Sequence, residues 1–307
     1  MNKYLYIVNP VAGNGSGGKS VTTIKSYCDS KNINYKLYLT KYPLHATEIA
    51  KELSSGFSHI IAVGGDGTVN EVLNGIHINN NTVFAVLQIG TGNDLVKNFN
   101  YPTNLIEMLD VIHNESKQII IDIDLGQVKY TTGSSNKEEN HLFINNLGIG
   151  FDAYVGYLNQ HNKVLKGVSS YVLSVLKALF NYKMVECNIQ FDDKKITGKK
   201  LMLTIGNGIS SGGGFYLTPR AIIDDNYLDV SIFDEISRFR LLNVLPKALV
   251  NKLETVEETK MYKSKEINIE LAEPYYVHCD GEIISKEIKK AQIKCLPNAL
   301  KLITKKK

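Results

Sequence analysis

The sequence predicts an α/β N-terminal domain built on a parallel sheet, followed by a C-terminal, mostly antiparallel β-sandwich domain. Three observations carry this. Over roughly the first 125 residues, short apolar strands alternate with helical patterns about 10–15 residues long, the mark of βαβ units. From about residue 126 short strands follow one another with turn signals between them and few long crossover helices. The length, 307 residues, suits two domains at about 100–200 residues each.

In the first half, Tyr4–Val8 is an apolar strand that stops at Asn-Pro and a glycine run, and a helical stretch leads from there to about Lys31. Tyr35–Leu39 is the second strand and Ala46–Leu53 a helix. His59–Val63 is the third strand, halted by Gly-Gly, and Val69–Gly75 opens another helix. Val83–Ile89, a helix at Leu105–Ile112 and a strand at Ile119–Leu125 complete the domain. In the second half, strands are expected at Gly126–Tyr130, His141–Asn146, Val185–Phe191, Lys200–Gly206, Leu228–Phe233, Ile267–Leu271, Tyr276–His278 and Gln292–Cys295. Helical insertions are expected near 166–180 and 239–252, a polar hairpin tip at 131–140, and a frayed tail at 305–307.

Composition narrows the function. With 43% hydrophobic and 21% charged residues the chain is globular, not disordered. A net charge of +4, from 35 basic and 31 acidic residues, is too small and too dispersed for a nucleic-acid partner. Cys28, Cys187, Cys279 and Cys295 form no C-x-x-C pair, which argues against a zinc site or a disulfide framework and fits a reducing cytoplasm. The segment MNKYLYIVNP lacks the apolar stretch of a signal peptide, and no apolar run reaches the ~20 residues of a transmembrane helix. The expectation is a cytoplasmic protein whose membrane contact, if any, is peripheral. The amphipathic stretch FRLLNVLPKALVNKL (Phe239–Leu253) suits either such contact or a cover for the sandwich core.

Three glycine-rich segments follow strands, at the sheet edge where α/β proteins bind ligands. Gly13–Ser20, GNGSGGKS, matches the phosphate loop G-x-x-x-x-G-K-[ST] literally. However, no later strand ends in a simple aspartate suited to Mg²⁺; Ile60–Val63 runs into GGDGT instead. Gly64–Thr68, GGDGT, is the stronger signal: two glycines allow a sharp turn and close approach to a ligand, Asp66 is held at the strand end, and Thr68 is placed to cap the next helix. Gly90–Asp94, GTGND, offers the Thr91 hydroxyl and the Asp94 carboxylate in the same way. Asp122 and Asp124 share one strand face, and Asp280-Gly281 before Glu282 is a hairpin-turn signal. The seven histidines show no metal-ligand spacing and read as structural or surface groups.

In order, NPVAG (Asn9–Gly13), GGDGTVNEV (Gly64–Val72), GTGNDL (Gly90–Leu95), GNGISSGGGF (Gly206–Phe215), DDNYLDV (Asp224–Val230) and CDGE (Cys279–Glu282) resemble the diacylglycerol kinase catalytic-domain family. That family includes bacterial soluble diacylglycerol kinases and YegS-like lipid kinases. The resemblance implies an ATP-binding domain of the NAD kinase/diacylglycerol kinase type at 1–125, joined by a returning segment at 296–307. It implies a β-sandwich lipid domain at 126–295, with the active site in the cleft between the two, and often a homodimer. It also implies an ATP- and Mg²⁺-dependent lipid kinase, acting by default on diacylglycerol to give phosphatidic acid at the inner face of the membrane.

Carried over by position, Asn9, Pro10, Val11, Ala12 and Gly13 match the first nucleotide loop, and Thr40 a nucleotide-contacting threonine. Gly64, Gly65, Asp66, Gly67, Thr68, Val69 and Asn70 match the central phosphate loop, and Thr91 the third. Glu282 matches the proton acceptor; the residues themselves offer Asp124 as an alternative, and Asp66 and Asp94 as the carboxylates near which Mg²⁺ would be held. A structural Mg²⁺ site would use Asp225 with the carbonyls of Ile222 and Tyr227. Asn226 stands where the family commonly has glycine, and asparagine tolerates the left-handed turn. Two other readings stay open: a kinase of a soluble acceptor such as NAD, which shares GGDGT, and a catalytically silent nucleotide- or lipid-binding module.

Overall fold

The computed structural model describes residues 2–78, 82–134, 137–160 and 168–306. It divides into two compact units, Met1–Asp124 with Pro297–Lys307, and Leu125–Leu296.

In the first unit β1 (Tyr4–Val8), β2 (Tyr35–Leu39), β3 (His59–Gly64) and β4 (Val83–Gln88) alternate with α1 (Ala12–Ser30), α2 (His45–Leu53) and α3 (Asp66–Leu73); α4 (Leu105–His113) follows β4. The strands pair in parallel in the order β2-β1-β3-β4. β1, β3 and β4 are buried along their whole length, and helices on both faces of a parallel sheet explain why they are continuous apolar runs. Tyr6, Val8, Ile24, Ile61, Leu87 and Leu109 are at the centre of one such layer. Because β1 has β2 on one side and β3 on the other, the strand order reverses beside β1. This is the switch point at which such sheets bind ligands, outside their carboxyl ends. Two side chains fix the surrounding helices. Asn104 caps α4 by accepting from the N–H groups of Ile106 and Glu107, and Glu71 of α3 accepts from the N–H groups of Leu44 and Ala46 at the start of α2 (3.0 and 3.2 Å).

The chain enters the second unit along β5 (Gln118–Thr132). There follow β6 (Glu139–Phe143), β7 (Asn146–Gly150), α5 (Phe151–Gln160), α6 (Val168–Asn181), β8 (Val185–Phe191), β9 (Lys194–Gly206), β10 (Leu228–Asp234), α7 (Arg238–Leu249), β11 (Thr259–Ser264), β12 (Glu266–Cys279) and β13 (Glu282–Lys305). The main order is β11-β10-β9-β7-β12-β13, with β8 joining β9 and β12; these pairings are antiparallel. β8 alternates strictly between buried and exposed residues, as a strand with one solvated face must. One core gathers Phe143, Leu147, Phe191, Ile205, Val230, Ile269 and Ile293. A second, containing Phe151, Leu179, Leu201, Leu241 and Val244, draws on α5, α6, β9 and α7. The end of β13 returns to the first unit, where Lys301 and Leu302 pair in parallel with Val83 and Phe84.

Several expected elements differ. The expected strand at 141–146 splits into β6 and β7, and the two short strands at 267–271 and 276–278 are one strand, β12, with a register shift between Glu270 and Tyr275. α5 and β11 occupy segments for which the sequence pattern predicts nothing. Residues 135–136 of the expected hairpin tip, 166–167 of the expected insertion and 307 of the tail lie outside the described residues.

Candidate active site

The three glycine loops meet at the carboxyl edge of the parallel sheet. Asn9 directly follows β1 and fixes the first loop to the second: its N–H donates to the Val63 carbonyl (2.9 Å), and its Nδ2 donates to Thr68 Oγ1 (3.1 Å). Its Oδ1 accepts from the Val11 N–H (3.2 Å), closing the loop on itself. Gly13, Asn14 and Gly15 are left-handed (φ 56°, 55° and 89°), so α1 begins with a tight turn and becomes regular only afterwards. A Cβ on Gly13 would collide with the Ile89 carbonyl. One on Gly65 would stand 3.2 Å from the Gly90 Cα, and the Ile89 N–H donates to the Gly64 carbonyl (2.9 Å). The loops therefore touch backbone to backbone, which only missing side chains permit.

α3 starts directly from this junction. Its N-cap is Gly65, in an extended conformation with no side-chain cap, so the expected capping role of Thr68 is corrected: its hydroxyl accepts from Asn9 instead. An uncapped first turn directs N–H groups without intrahelical acceptors, and the positive end of the helix dipole, out of the sheet edge. Such an end attracts phosphate. Asp66 Oδ1 accepts from the Asp94 N–H (2.8 Å), which joins the second loop to the third. The Asp94 carboxylate, almost fully buried, is ion-paired with Lys97 (2.7 Å).

The other expected nucleotide residues divide by exposure. Val11 and Thr91 are exposed, and Pro10, Ala12 and Gly67 are half-buried. Thr40 continues from β2, its N–H donating to the Val8 carbonyl (2.9 Å). Val69 and Asn70 are buried inside α3, with Asn70 Oδ1 accepting from Asn74 (3.3 Å). The literal phosphate-loop match dissolves, because Lys19 is exposed on α1 while Ser20 is buried and donates to the Gly17 carbonyl (2.7 Å). Gln88, at the end of β4, buries both amide atoms without a partner among the described residues, and the sequence pattern does not single it out.

In the second unit the Asp280-Gly281 turn (φ 51° and 86°) links β12 to β13 as a two-residue hairpin. Asp280 is a clamp rather than a mere turn former. Its carboxylate accepts from the backbone N–H groups of Ile144 (3.0 Å), Asn145 (2.8 Å) and Asn146 (3.0 Å). The same segment holds the glycine-rich loop after β9, where Asn145 and Asn146 both donate to the Ser210 carbonyl and Asn207 Nδ2 donates to the Ile144 carbonyl (2.9 Å).

Glu282, exposed at the start of β13, accepts from Gln160 Nε2 (3.0 Å). Asp152, Gly156 and Gln160, spaced four apart, form one stripe of α5, and all three face this hairpin. A Cβ on Gly156 would stand 3.9 Å from the Gly281 carbonyl oxygen. Asp152 Oδ2 accepts from Thr204 Oγ1 (3.2 Å) and lies 3.4 Å from His278 Nε2. His278 is buried, and its Nδ1 accepts from the Gly281 N–H (3.2 Å). A neutral imidazole in this position carries its proton on Nε2, toward Asp152. Sequence spacing marks His278 as merely structural; the signal that would have found the group is the small-and-polar i, i+4, i+8 pattern of α5.

Two expected roles are reassigned. Asp124 is fully buried and accepts from the Asn298 N–H (2.8 Å), so it anchors the returning segment instead of serving as an acceptor for a substrate proton, while Asp122 is exposed. At the expected structural metal site, Asp225 Oδ1 accepts from the Tyr227 N–H (3.1 Å), and its Oδ2 lies 2.5 Å from Lys263 Nζ. Ile222 and Tyr227 are exposed. Among the described residues no three His, Cys, Asp or Glu side chains gather as a metal set. A divalent ion does not fit beside a lysine ammonium already in contact with the carboxylate expected to hold it. The four cysteines are free and buried, and burial, reinforced by the neighbouring Asp280 charge, pushes the Cys279 thiol well up.

The chain matches the diacylglycerol kinase catalytic domain over residues 3–128 and the YegS C-terminal NAD kinase beta sandwich-like domain over residues 145–304. It belongs to the diacylglycerol kinase family. It is 30% identical over 239 residues to a diacylglycerol kinase of Staphylococcus epidermidis, covering 76% of this chain and 71% of that one. A crystal structure of a diacylglycerol kinase from Bacillus anthracis aligns with a TM-score of 0.76 at 25% identity, over 99% of this chain and 97% of that one. An NAD kinase from Archaeoglobus fulgidus, solved with ATP, shares the fold at a TM-score of 0.50 and 14% identity, over 100% and 94%. Membership in this family makes the chain a kinase.

Proposed function

We propose that this kinase transfers the γ-phosphoryl group of ATP, taken as its Mg²⁺ complex, to the hydroxyl of a lipid, with diacylglycerol as the default acceptor and phosphatidic acid as the product. The observation that carries the reading is the mutual contact of three glycine loops beside the uncapped start of α3. The phosphates rest on backbone N–H groups of Gly64–Thr68, flanked by Asn9–Gly13, Thr40 and Thr91. Asp66 is the carboxylate of this loop that would hold the ion. When bound, Mg²⁺ neutralises charge on the phosphoryl oxygens.

The lipid oxygen forms a bond to the γ-phosphorus as the bond from that phosphorus to the β,γ-bridging oxygen breaks, releasing ADP, and the hydroxyl proton passes to Glu282. Since phosphoryl-transfer transition states are loose, the proton moves late and positioning supplies most of the rate. Gln160 and the His278–Asp152 pair keep the Glu282 turn in place. The enzyme works in the cytoplasm, in peripheral contact with the inner face of the membrane. Exposure of Phe239 (85%), Leu242, Leu249 and Val250 on and just beyond α7 supports that contact.

The test is γ-labelled ATP with mixed micelles carrying a panel of hydroxylated lipids, and NAD as the soluble alternative. Label is expected in phosphatidic acid, and Glu282→Gln is expected to lower kcat about 100-fold, the scale of lost general-base catalysis. Label appearing in NADP, or no labelled lipid while ATP binding is intact, overturns the reading.

A further inference from the structure

We infer that Lys263 is a built-in cation that takes the place of a structural divalent ion at the Asp225–Tyr227 turn, so that this turn is closed without metal. The turn needs a positive charge. Asp225 and Asp229 both lie beside it, Asp229 almost fully buried on β10, and two carboxylates so close destabilise each other unless a cation stands between them. Lys263 supplies that charge from a fixed position. It is the direct cross-strand partner of Asp229 in the β10–β11 ladder, and such partners have Cβ atoms only about 5 Å apart. Its ammonium lies 2.5 Å from Asp225 Oδ2 and 3.6 Å from Asp229 Oδ2.

The remaining groups agree. Asp225 uses its other oxygen to accept the Tyr227 N–H, which fixes the turn around the left-handed Asn226 (φ 64°). Lys265, two residues on from Lys263, places a second ammonium 4.9 Å from the centre of the Tyr227 ring. The segment expected to offer carbonyls to a metal is therefore flanked by two lysines. A divalent ion at Asp225 would have to displace Lys263 from the carboxylate it already contacts. The lysine also has an entropic advantage over a free ion, since it is already tethered by the strand.

The experiment is thermal unfolding of the protein without nucleotide or lipid, in EDTA and in Mg²⁺, for the wild type, Lys263→Met and Asp225→Asn. It reads stability, not catalysis, so its outcome is separate from that of the kinase reading. The wild type is expected to unfold at the same temperature in both media. Lys263→Met is expected to unfold several degrees lower in EDTA and to recover in Mg²⁺, because removing the ammonium opens the site to a divalent ion. A Mg²⁺-dependent gain in the wild type that disappears in Asp225→Asn overturns the inference. Should Lys263→Met fail to fold, the wild type and Asp225→Asn decide the matter alone: no Mg²⁺-dependent gain in the wild type supports it, and a gain lost in Asp225→Asn contradicts it.

Discussion

The two units solve the same problem, holding loops in fixed places, with opposite materials. In the first unit the candidate site rests mainly on backbone contact, Gly13 against Ile89 and Gly65 against Gly90, with the Asn9 and Asp66 side chains tying the loops together. In the second it is made of side chains: the Asp280 carboxylate gathers three N–H groups, Asn145, Asn146 and Asn207 lace the neighbouring loop, and Asp152, His278 and Gln160 support the hairpin that carries Glu282. Added atoms should therefore damage the first unit, and removed atoms the second.

The largest effect expected from this contrast is that of Asp280→Ala. It leaves three N–H groups of a buried segment without their acceptor and should cost about 3–9 kcal/mol, given about 1–3 kcal/mol for each group left unsatisfied. Calorimetric unfolding measures it, and a loss below 1 kcal/mol would mean that water replaces the clamp. Next comes Gly90→Ala, whose added Cβ would press into the Gly65 backbone. Overpacking of this kind costs about 1–3 kcal/mol, and it should raise the KM for ATP more than it lowers overall stability. Unchanged ATP kinetics would separate the two loops.

An acid titration sharpens the comparison further. Burial pushes the imidazoles of His59 and His113 down to about 4, and the neighbouring His59 charge further disfavours protonation of His113. In the first unit both therefore stay neutral while the unfolded chain takes up protons below its ordinary value of 6.5. Stability should be flat above pH 6.5 and fall as the pH drops from there towards 4. Among the described residues the second unit has one such group, His141, also pushed down to about 4 by burial. Hydrogen exchange at pH 5 should accordingly show the first unit opening ahead of the second, and the reverse order would break this part of the contrast. The smallest effect belongs to Lys19→Ala, which removes an exposed charge from α1 and should change kcat/KM less than twofold. A large loss of kcat/KM in this variant would restore the literal phosphate-loop reading.

The same contrast explains what the sequence makes legible. Parallel strands buried on both faces appear as plain apolar runs, and glycines marking backbone contact are visible one by one, so β1 to β4 and the three loops stand out. Side-chain networks do not. Asp280 looks like an ordinary turn residue because its three partners are more than 130 positions away. α5 is hidden because its inward stripe of Asp152, Gly156 and Gln160 is not apolar, and because Gly148 and Gly150 before it suggest a break. Gly148 is there for another reason: a Cβ would collide with Asp152 and His278. β11 escapes because it is an edge strand, TKMYKS, whose lysines suit an edge and obscure the alternation. Lys263 gains its meaning only from the register that sets it opposite Asp229.

The central claim is that the three glycine loops grip one nucleotide together. Hydrogen–deuterium exchange with and without Mg²⁺-ATP tests it most directly, following the amides of Asn9–Gly13, Gly64–Thr68 and Gly90–Asp94. Slowing of all three segments, with one shared dependence on nucleotide concentration, is the predicted result. Protection confined to Gly15–Ser20, or three segments responding at different concentrations, would contradict it.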